Sequence, residues 1–375
     1  LKPYLARAPA GTSGREDHMS VPPGRVKWGI IGCADIARKT CDGITESKNA
    51  TCVAVGSRDL AKAQAFVEAN CPTAHAYGSY QEVLDDPAVQ VVYVPLPTAF
   101  KKDWVLKAAK AKKHVLCDKP LAVSIEDTRE MIEACAAAGV QFMDNTMFMH
   151  HDRTEAIGKC LEARELLGEC RLVTSSFSIP FGNDEDWAAN NIRMKKETEP
   201  FGCMGDLGWY NIRMTTLAFD YADPEQVSCQ TLESTGEGVP TYCSALLKFS
   251  GGRLGRFDCS FLHPLRQWAE LAGQRAVLQV DDFVVTRQRE EASFTVTAGS
   301  IADKAITFPS EVLAAKRFDG CVQHVRLIET MSAIVQKGTL DPFWPKVSLQ
   351  TQTIVCALLA SAAEGGRWLS LGDAS

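Results

Sequence analysis

The amino-acid sequence predicts an α/β protein in two parts. The first is a doubly wound parallel sheet; the second is an α+β half built on a large, open, mostly antiparallel sheet. Three observations lead there. Between Val26 and Met143, short apolar strands alternate with helical segments, the pattern of parallel βαβ crossovers. A glycine-led turn, Gly32-Cys-Ala-Asp-Ile-Ala37, joins the first strand to the first helix. From about Val227 to Thr297 short strands of alternating polarity follow one another through glycine turns. With 375 residues, 46% hydrophobic and 23% charged, the chain has the length of roughly two domains. They are placed at 25–148 and 149–375, after a segment 1–24 that is outside the fold.

That first segment, Leu1 to Gly24, is rich in Ala, Pro, Gly and Arg and lacks acids until Glu16. It reads as an organelle-targeting remnant or as an expression scar around His18-Met19-Ser20 with Met19 as the start. The strand Val26–Ile31 then leads into the turn and a helix through about Ser47. The turn follows the Rossmann dinucleotide fingerprint G-x-G-x-x-G/A, with Ala34 and Ala37 at the second and third glycine positions. Gly32 permits the tight turn, Ala34 keeps the backbone close to a pyrophosphate, and Ala37 lets the helix pack on the strand. Gly32, Cys33, Ala34, Asp35 and Ile36 would cradle the phosphates at the helix N-terminus, where free N–H groups favour anions. The next strand, Thr51–Gly56, ends in Ser57-Arg58-Asp59. NAD enzymes place an acid here and NADP enzymes an arginine. A hydroxyl beside a guanidinium suits a ribose 2′-phosphate, so NADP is the expected cofactor, with Asp59 leaving NAD open.

The strand Val91–Pro95 runs through Leu96-Pro97-Thr98 into a helix over Asp103–Ala111, and Pro95, Leu96 and Pro97 are candidates for the floor of a nicotinamide pocket. The strand His114–Cys117 ends in Asp118-Lys119-Pro120. That order delivers an ammonium group to the carboxyl edge of a parallel sheet, where open α/β folds bind ligands. Proline holds its own φ and restricts the residue before it, which aims Lys119. A helix over Ser124–Ala138 and a strand Val140–Met143 complete the half.

In the second half a helix covers 152–165 and strands follow at 170–180. After Gly202-Cys-Met-Gly205 a helix opens Asp206-Leu-Gly-Trp-Tyr-Asn-Ile, placing Asp206 and Tyr210 on one face. Alternatively, Asp206 is an N-cap and Tyr210 a core residue. Strands are expected at Tyr242–Phe249, Arg253–Phe261 and Ala276–Val280, with Gly251-Gly252 as a hairpin turn. Helices over Phe318–Gln336 and Ser348–Glu364 close the chain.

The net charge of −6 gives no basic field for nucleic acid, and no apolar run approaches the ~20 residues that span a bilayer. The fourteen cysteines are scattered without zinc spacing and read as buried small hydrophobes in a reducing compartment, cytoplasmic or plastid. His150-His151-Asp152 has no accompanying ligand set, so no metal is expected.

The segments 32–37, 57–58, Tyr93–Thr98, His114–Pro120 and Met204–Tyr210 together resemble the Gfo/Idh/MocA oxidoreductase family over nearly all of 25–370. Met143–His151 and Asn183–Trp187 are similar to its branch of dimeric dihydrodiol dehydrogenases and NADP-dependent xylose dehydrogenases, including plant and algal relatives. The resemblance implies hydride transfer between a nicotinamide and a sugar, polyol or vicinal diol. It sets Lys119, Asp206 and Tyr210 together as catalytic residues, with Asp118 beside the cofactor. It also puts Lys101, Arg193 and Asn145 on the substrate side. The family has Glu-Lys-Pro where this chain has Asp118-Lys119-Pro120, and a histidine where Lys101 stands. Oxidising an alcohol requires a base at the oxygen that loses its proton. Tyr210 is assigned that proton, Lys119 lowers its pKa and stabilises the alkoxide, and Asp206 orients them. Two other readings share these residues: a catalytically silent NADP-binding regulator, and an NAD(P)-assisted glycoside hydrolase. The resemblance also implies a homodimer or higher homo-oligomer paired through the C-terminal sheet.

Overall fold

The structure is a computed structural model and describes residues 24–299 and 310–374. All but the last residue of the N-terminal segment 1–24 lies outside the described residues.

The first half alternates as its pattern requires. β1 (Val26–Ile31), α1 (Asp35–Glu46), β2 (Ala50–Gly56), α2 (Leu60–Asn70), β3 (His75–Tyr77), α3 (Tyr80–Asp85) and β4 (Val91–Val94) come first. Then follow α4 (Lys101–Lys110), β5 (His114–Cys117), α5 (Ile125–Ala138) and β6 (Phe142–Asp144). The six strands pair in parallel in the order β3-β2-β1-β4-β5-β6. Both faces are buried, which explains the unbroken apolar runs Val91–Val94 and Val115–Cys117. Val92, Val94 and Val115 face one helix layer with Val105 of α4 and Met131 of α5. Trp28, Ile30, Tyr93 and Leu116 face the other, with Ile44 of α1 and Phe66 of α2.

The second half comprises α6 (Asp152–Ala163), β7 (Cys170–Ser178), α7 (Glu185–Asn190), α8 (Trp209–Ala218), β8 (Gln226–Ser234), β9 (Pro240–Lys248) and β10 (Leu254–Ser260). β11 (Arg266–Gly273), β12 (Val277–Val280), β13 (Glu291–Gly299), β14 (Ser310–Asp319), α9 (Gln323–Lys337), α10 (Phe343–Ala363) and β15 (Leu369–Ser370) complete it. Nine strands form one sheet in the order β14-β13-β12-β11-β7-β10-β9-β8-β15. Among the described residues, only its β7–β10 pair is parallel. α8 and α10 cover one face, and the side chains of Val173, Phe177, Leu247 and Phe257 supply its core.

Two helix starts differ from the sequence expectation. Phe318 lies in β14, so α9 begins at Gln323, and α10 begins at Phe343. α9 then returns to the first sheet. Its Leu327, Ile328 and Met331 join the Trp28 layer, and Trp28 Nε1 donates to Ser332 Oγ at 3.0 Å. Gly43 makes this approach possible: a Cβ there would stand 2.8 Å from the His324 carbonyl oxygen.

Candidate active site

The carboxyl ends of β1, β4 and β5 open into a cleft of about 700 Å³ closed on the far side by the second half of the chain. One end of it is the β1–α1 turn. Gly32 has φ +124, a backbone that L side chains rarely adopt, and a Cβ would meet Leu96 Cδ2 at 3.1 Å. Gly32 N donates to Gly56 O at 3.0 Å, tying the turn to β2. The N-cap of α1 is Ala34, which offers no side-chain acceptor, so the first N–H groups of the helix remain for a ligand. Cys33, Ala34, Asp35 and Ile36 line the cleft there, and so do Arg38, Lys39 and Lys62. Asp35 is exposed and pairs with Arg38 at 3.5 Å.

Ser57 and Arg58 stand just beyond β2, outside the side chains that line this cleft. Arg58 is exposed, with its guanidinium beside the Tyr80 hydroxyl. Asp59 is occupied elsewhere: its carboxylate caps α2, accepting from Ala61 N at 2.9 Å and Lys62 N at 3.3 Å. The exposed cation at this position is therefore the arginine. These residues fit a dinucleotide phosphate and favour a 2′-phosphate on its ribose.

The other end of the cleft gathers Lys119, Asp206, Tyr210 and Arg193. Lys119 leaves the end of β5 and donates to both the carboxylate and the backbone carbonyl of Asp206. Arg193 Nε donates to the second carboxylate oxygen at 2.9 Å. Asp206 lies in a π-helical turn, Met204–Gly208, that runs straight into α8; such turns are frequent at functional sites. Helical continuity from 204 keeps Tyr210 on the same side, and Lys119 Nζ stands 4.8 Å from its ring centroid. Phe177 meets the ring edge-on at 5.5 Å. No hydrogen bond engages the Tyr210 hydroxyl among the described residues.

Burial opposes the charge on Asp206, but Lys119 and Arg193 outweigh it and hold the carboxyl well below its usual range. Burial likewise works against the Lys119 ammonium, which Asp206, Tyr210 and Asp118 hold above the ordinary lysine value. For Tyr210 the balance goes the other way. Burial pushes the phenol up and Lys119 pulls it down, yet the net shift is upward, with Asp118 and Asp206 adding to it. The expected lowering by Lys119 is present and is outweighed.

The remaining sequence candidates occupy different places. Asn145 is 2% exposed and lines the cleft; its Nδ2 donates to the Tyr93 hydroxyl at 2.9 Å and to Asp118 Oδ1 at 3.2 Å. Its Oδ1 is buried and has no partner among the described residues. Pro95, Leu96 and Pro97 form part of the same wall. Lys101 is buried in the same wall of the cleft, and its Nζ donates to the Pro120 carbonyl at 2.5 Å and to Thr98 Oγ1 at 3.4 Å. Its ammonium supports the turn that carries Lys119.

Sequence reasoning missed Glu199, whose carboxylate accepts from Thr98 N at 3.0 Å and Thr98 Oγ1 at 2.5 Å, latching the second half onto the β4–α4 loop. Nothing distinguishes it within Lys195-Lys-Glu-Thr-Glu199. Arg38 and Lys39 were also missed, although two cations early in a helix after a glycine turn are a legible anion signal.

Family models match both halves. "Oxidoreductase family, NAD-binding Rossmann fold" matches residues 26–146, and "GFO/IDH/MocA C-terminal domain" matches 159–279. The chain belongs to the Gfo/Idh/MocA oxidoreductase family. As such it is an NAD(P)-dependent oxidoreductase. It is 29% identical over 342 residues to D-xylose 1-dehydrogenase (NADP(+)) 2 of Haloferax volcanii, covering 90% of this chain and 98% of the relative. It is 30% identical over 264 residues to trans-1,2-dihydrobenzene-1,2-diol dehydrogenase of Sus scrofa, covering 68% and 74%. A crystal structure of a 3-ketoreductase from Actinomadura kijaniata with NADP and TDP-benzene superposes with a TM-score of 0.78. That pair shares 24% identity over 90% of this chain and 98% of the other, which shows the family fold.

Proposed function

We propose that this Gfo/Idh/MocA member transfers hydride between NADP(H) and a secondary alcohol or carbonyl of a sugar, polyol or vicinal diol. The observation that carries the reading is the convergence of Lys119, Asp206 and an unengaged Tyr210 hydroxyl at the cleft end opposite the phosphate-binding turn. The nicotinamide, when bound, supplies the hydride acceptor or donor. Lys119, held by Asp206, stabilises negative charge on the substrate oxygen. Tyr210 carries the proton at that oxygen, and its raised pKa keeps it protonated at neutral pH, which suits carbonyl reduction. Arg193 shares Asp206 with Lys119 and faces the same cleft, positioning the substrate's other hydroxyls. Asn145 Oδ1 is set to accept from the cofactor amide or the substrate.

These relatives are named as dehydrogenases of a sugar, D-xylose, and of a 1,2-diol, which supports this substrate class. We place the boundary between the cofactor and substrate parts at 148/149, with α9 as the second part's contribution to the first. All fourteen cysteines are free, which fits a reducing compartment. Pairing of two copies through the large sheet is supported by β14, an edge strand exposing Val312 and Leu313. Sedimentation equilibrium tests it: a dimer mass supports pairing, and a monomer mass rejects it.

The function is tested by following reduced nicotinamide absorbance with a panel of sugars, polyols and aromatic diols plus NADP+, and the matching carbonyls plus NADPH. Turnover with NADP(H) on one of these classes is expected. Tight NADP(H) binding without turnover across the panel would instead favour a regulator. Glycoside cleavage with no net change in nicotinamide would favour a hydrolase.

A further inference from the structure

Three cysteines far apart in sequence meet inside the first half of the chain. Cys41 is on α1, Cys52 on β2, and Cys71 caps the end of α2. Their Sγ atoms all lie within 4.8 Å of one another, and the residues are 0%, 5% and 4% exposed. Among the described residues this is the one group of three or more His, Cys, Asp or Glu side chains whose donor atoms approach so closely. The second thiol group, around Cys203, Cys243 and Cys259, has two contacts of 3.9 Å but does not close into such a set.

Thiolate ligands select soft cations. Structural zinc takes four ligands, and no carboxylate, imidazole or fourth thiol joins these three, while burial leaves no room for solvent to complete a tetrahedron. An all-sulfur set of three in an apolar enclosure suits a monovalent d¹⁰ ion that accepts low coordination. We propose that Cys41, Cys52 and Cys71 form a three-coordinate site for one Cu(I) ion.

Binding replaces S–H bonds by Cu–S bonds, and the displaced protons leave to solvent; the copper stays monovalent throughout. Cys71 opens the turn after α2, where its carbonyl accepts from Ala74 N at 2.8 Å before the edge strand β3. An ion here would join α1, β2 and the end of α2. α1 presents its N-terminus to the cleft, and β2 ends at Ser57-Arg58.

The test uses the full chain, reduced and anaerobic, titrated with Cu(I) against the chelator bicinchoninate. The wild type is expected to retain one copper per chain, with an X-ray absorption spectrum of three sulfur neighbours. Losing a direct ligand should exceed the roughly 10–100-fold affinity cost of losing an outer-shell partner. Cys71→Ser and Cys52→Ala should therefore weaken retention by more than about 100-fold, while Cys243→Ala leaves it unchanged. Copper should raise the melting temperature of the wild type and not of Cys71→Ser. Surrender of the copper to the chelator overturns the proposal. So does equal retention by Cys71→Ser, or loss on Cys243→Ala alone. Should Cys71→Ser and Cys52→Ala fail to fold, the wild-type spectrum decides: two sulfurs, or a nitrogen or oxygen neighbour, reject the site.

Discussion

Lys119 and Asp206 hold each other at a cost each bears through burial. Both lose hydration, and each is charged because the other is. Replacing Lys119 with alanine removes the charge proposed to face the substrate oxygen while leaving the β1–α1 turn intact. Turnover should fall by about 10²–10⁴-fold. NADP(H) affinity, read by fluorescence titration, should stay within a few-fold of wild type. Retained turnover would rule out the assigned role. Gly32 answers for the other end of the cleft. Gly32→Ala puts an L side chain at φ +124 with Leu96 Cδ2 3.1 Å from its Cβ, a strain of about 1–3 kcal/mol. The turn should relax away from its phosphate-binding form, so the same titration should show weakened NADP(H) binding. Unchanged affinity would show that the turn tolerates a Cβ.

At the scale of elements, the site depends on how α8 is fastened. Arg213, one turn beyond Tyr210, is fully buried and donates to Asp144 Oδ2 at 2.8 Å, to Thr351 Oγ1 at 2.8 Å and to the Val347 carbonyl at 3.2 Å. Asp144 ends β6 and also accepts from Ser348 Oγ at 2.5 Å. One ion pair thus joins the parallel sheet, α8 and α10. Burial alone would push the Asp144 carboxyl up, but Arg213, Ser348 and Thr146 hold it below its ordinary value. Arg213→Leu leaves that carboxylate without its cation and should destabilise the fold by about 3–5 kcal/mol in urea denaturation. A smaller loss with Asp144→Asn added would attribute the effect to the unpaired charge. Equal or greater loss in the double variant would assign it to packing.

Across the whole molecule, three histidines, His151 and His324 buried and His150 half-buried, set an acid limit. Burial lowers His150 to about 3 and His151 and His324 to about 4, against about 6.5 in an unfolded chain. Between those values the unfolded chain takes up protons that the folded protein refuses. Stability is therefore whole above about pH 6.5 and declines as pH falls toward 4. Asp144 and Asp206, both depressed when folded, add their loss below about pH 4. The urea midpoint should drop steadily from pH 7 to pH 5, and a flat profile over that range would contradict the assignment.

Much of this architecture was legible from short stretches of chain. The β1–α1 turn, Ser57-Arg58 and the strand leading to Lys119 are each defined within about a dozen residues, where backbone preference and apolar period act directly. The Phe318 boundary was misplaced because an apolar residue in an exposed edge strand gives the same local signal as the start of an amphipathic helix. For Lys101, sequence shows its charge and not its acceptor. Its acceptor, the Pro120 carbonyl, is set by how α4 lies on the β5 turn.

The sequence by itself determined the order of strands and helices, the dinucleotide turn and the delivery of Lys119 to the sheet edge, because those follow from local sterics and side-chain period. Only the tertiary structure decided that Asp206, 87 residues from Lys119, would bridge it to Arg193. It alone folded α9 back over Trp28 and brought Cys41, Cys52 and Cys71 together. Contacts across such separations depend on how complete layers pack and exclude water.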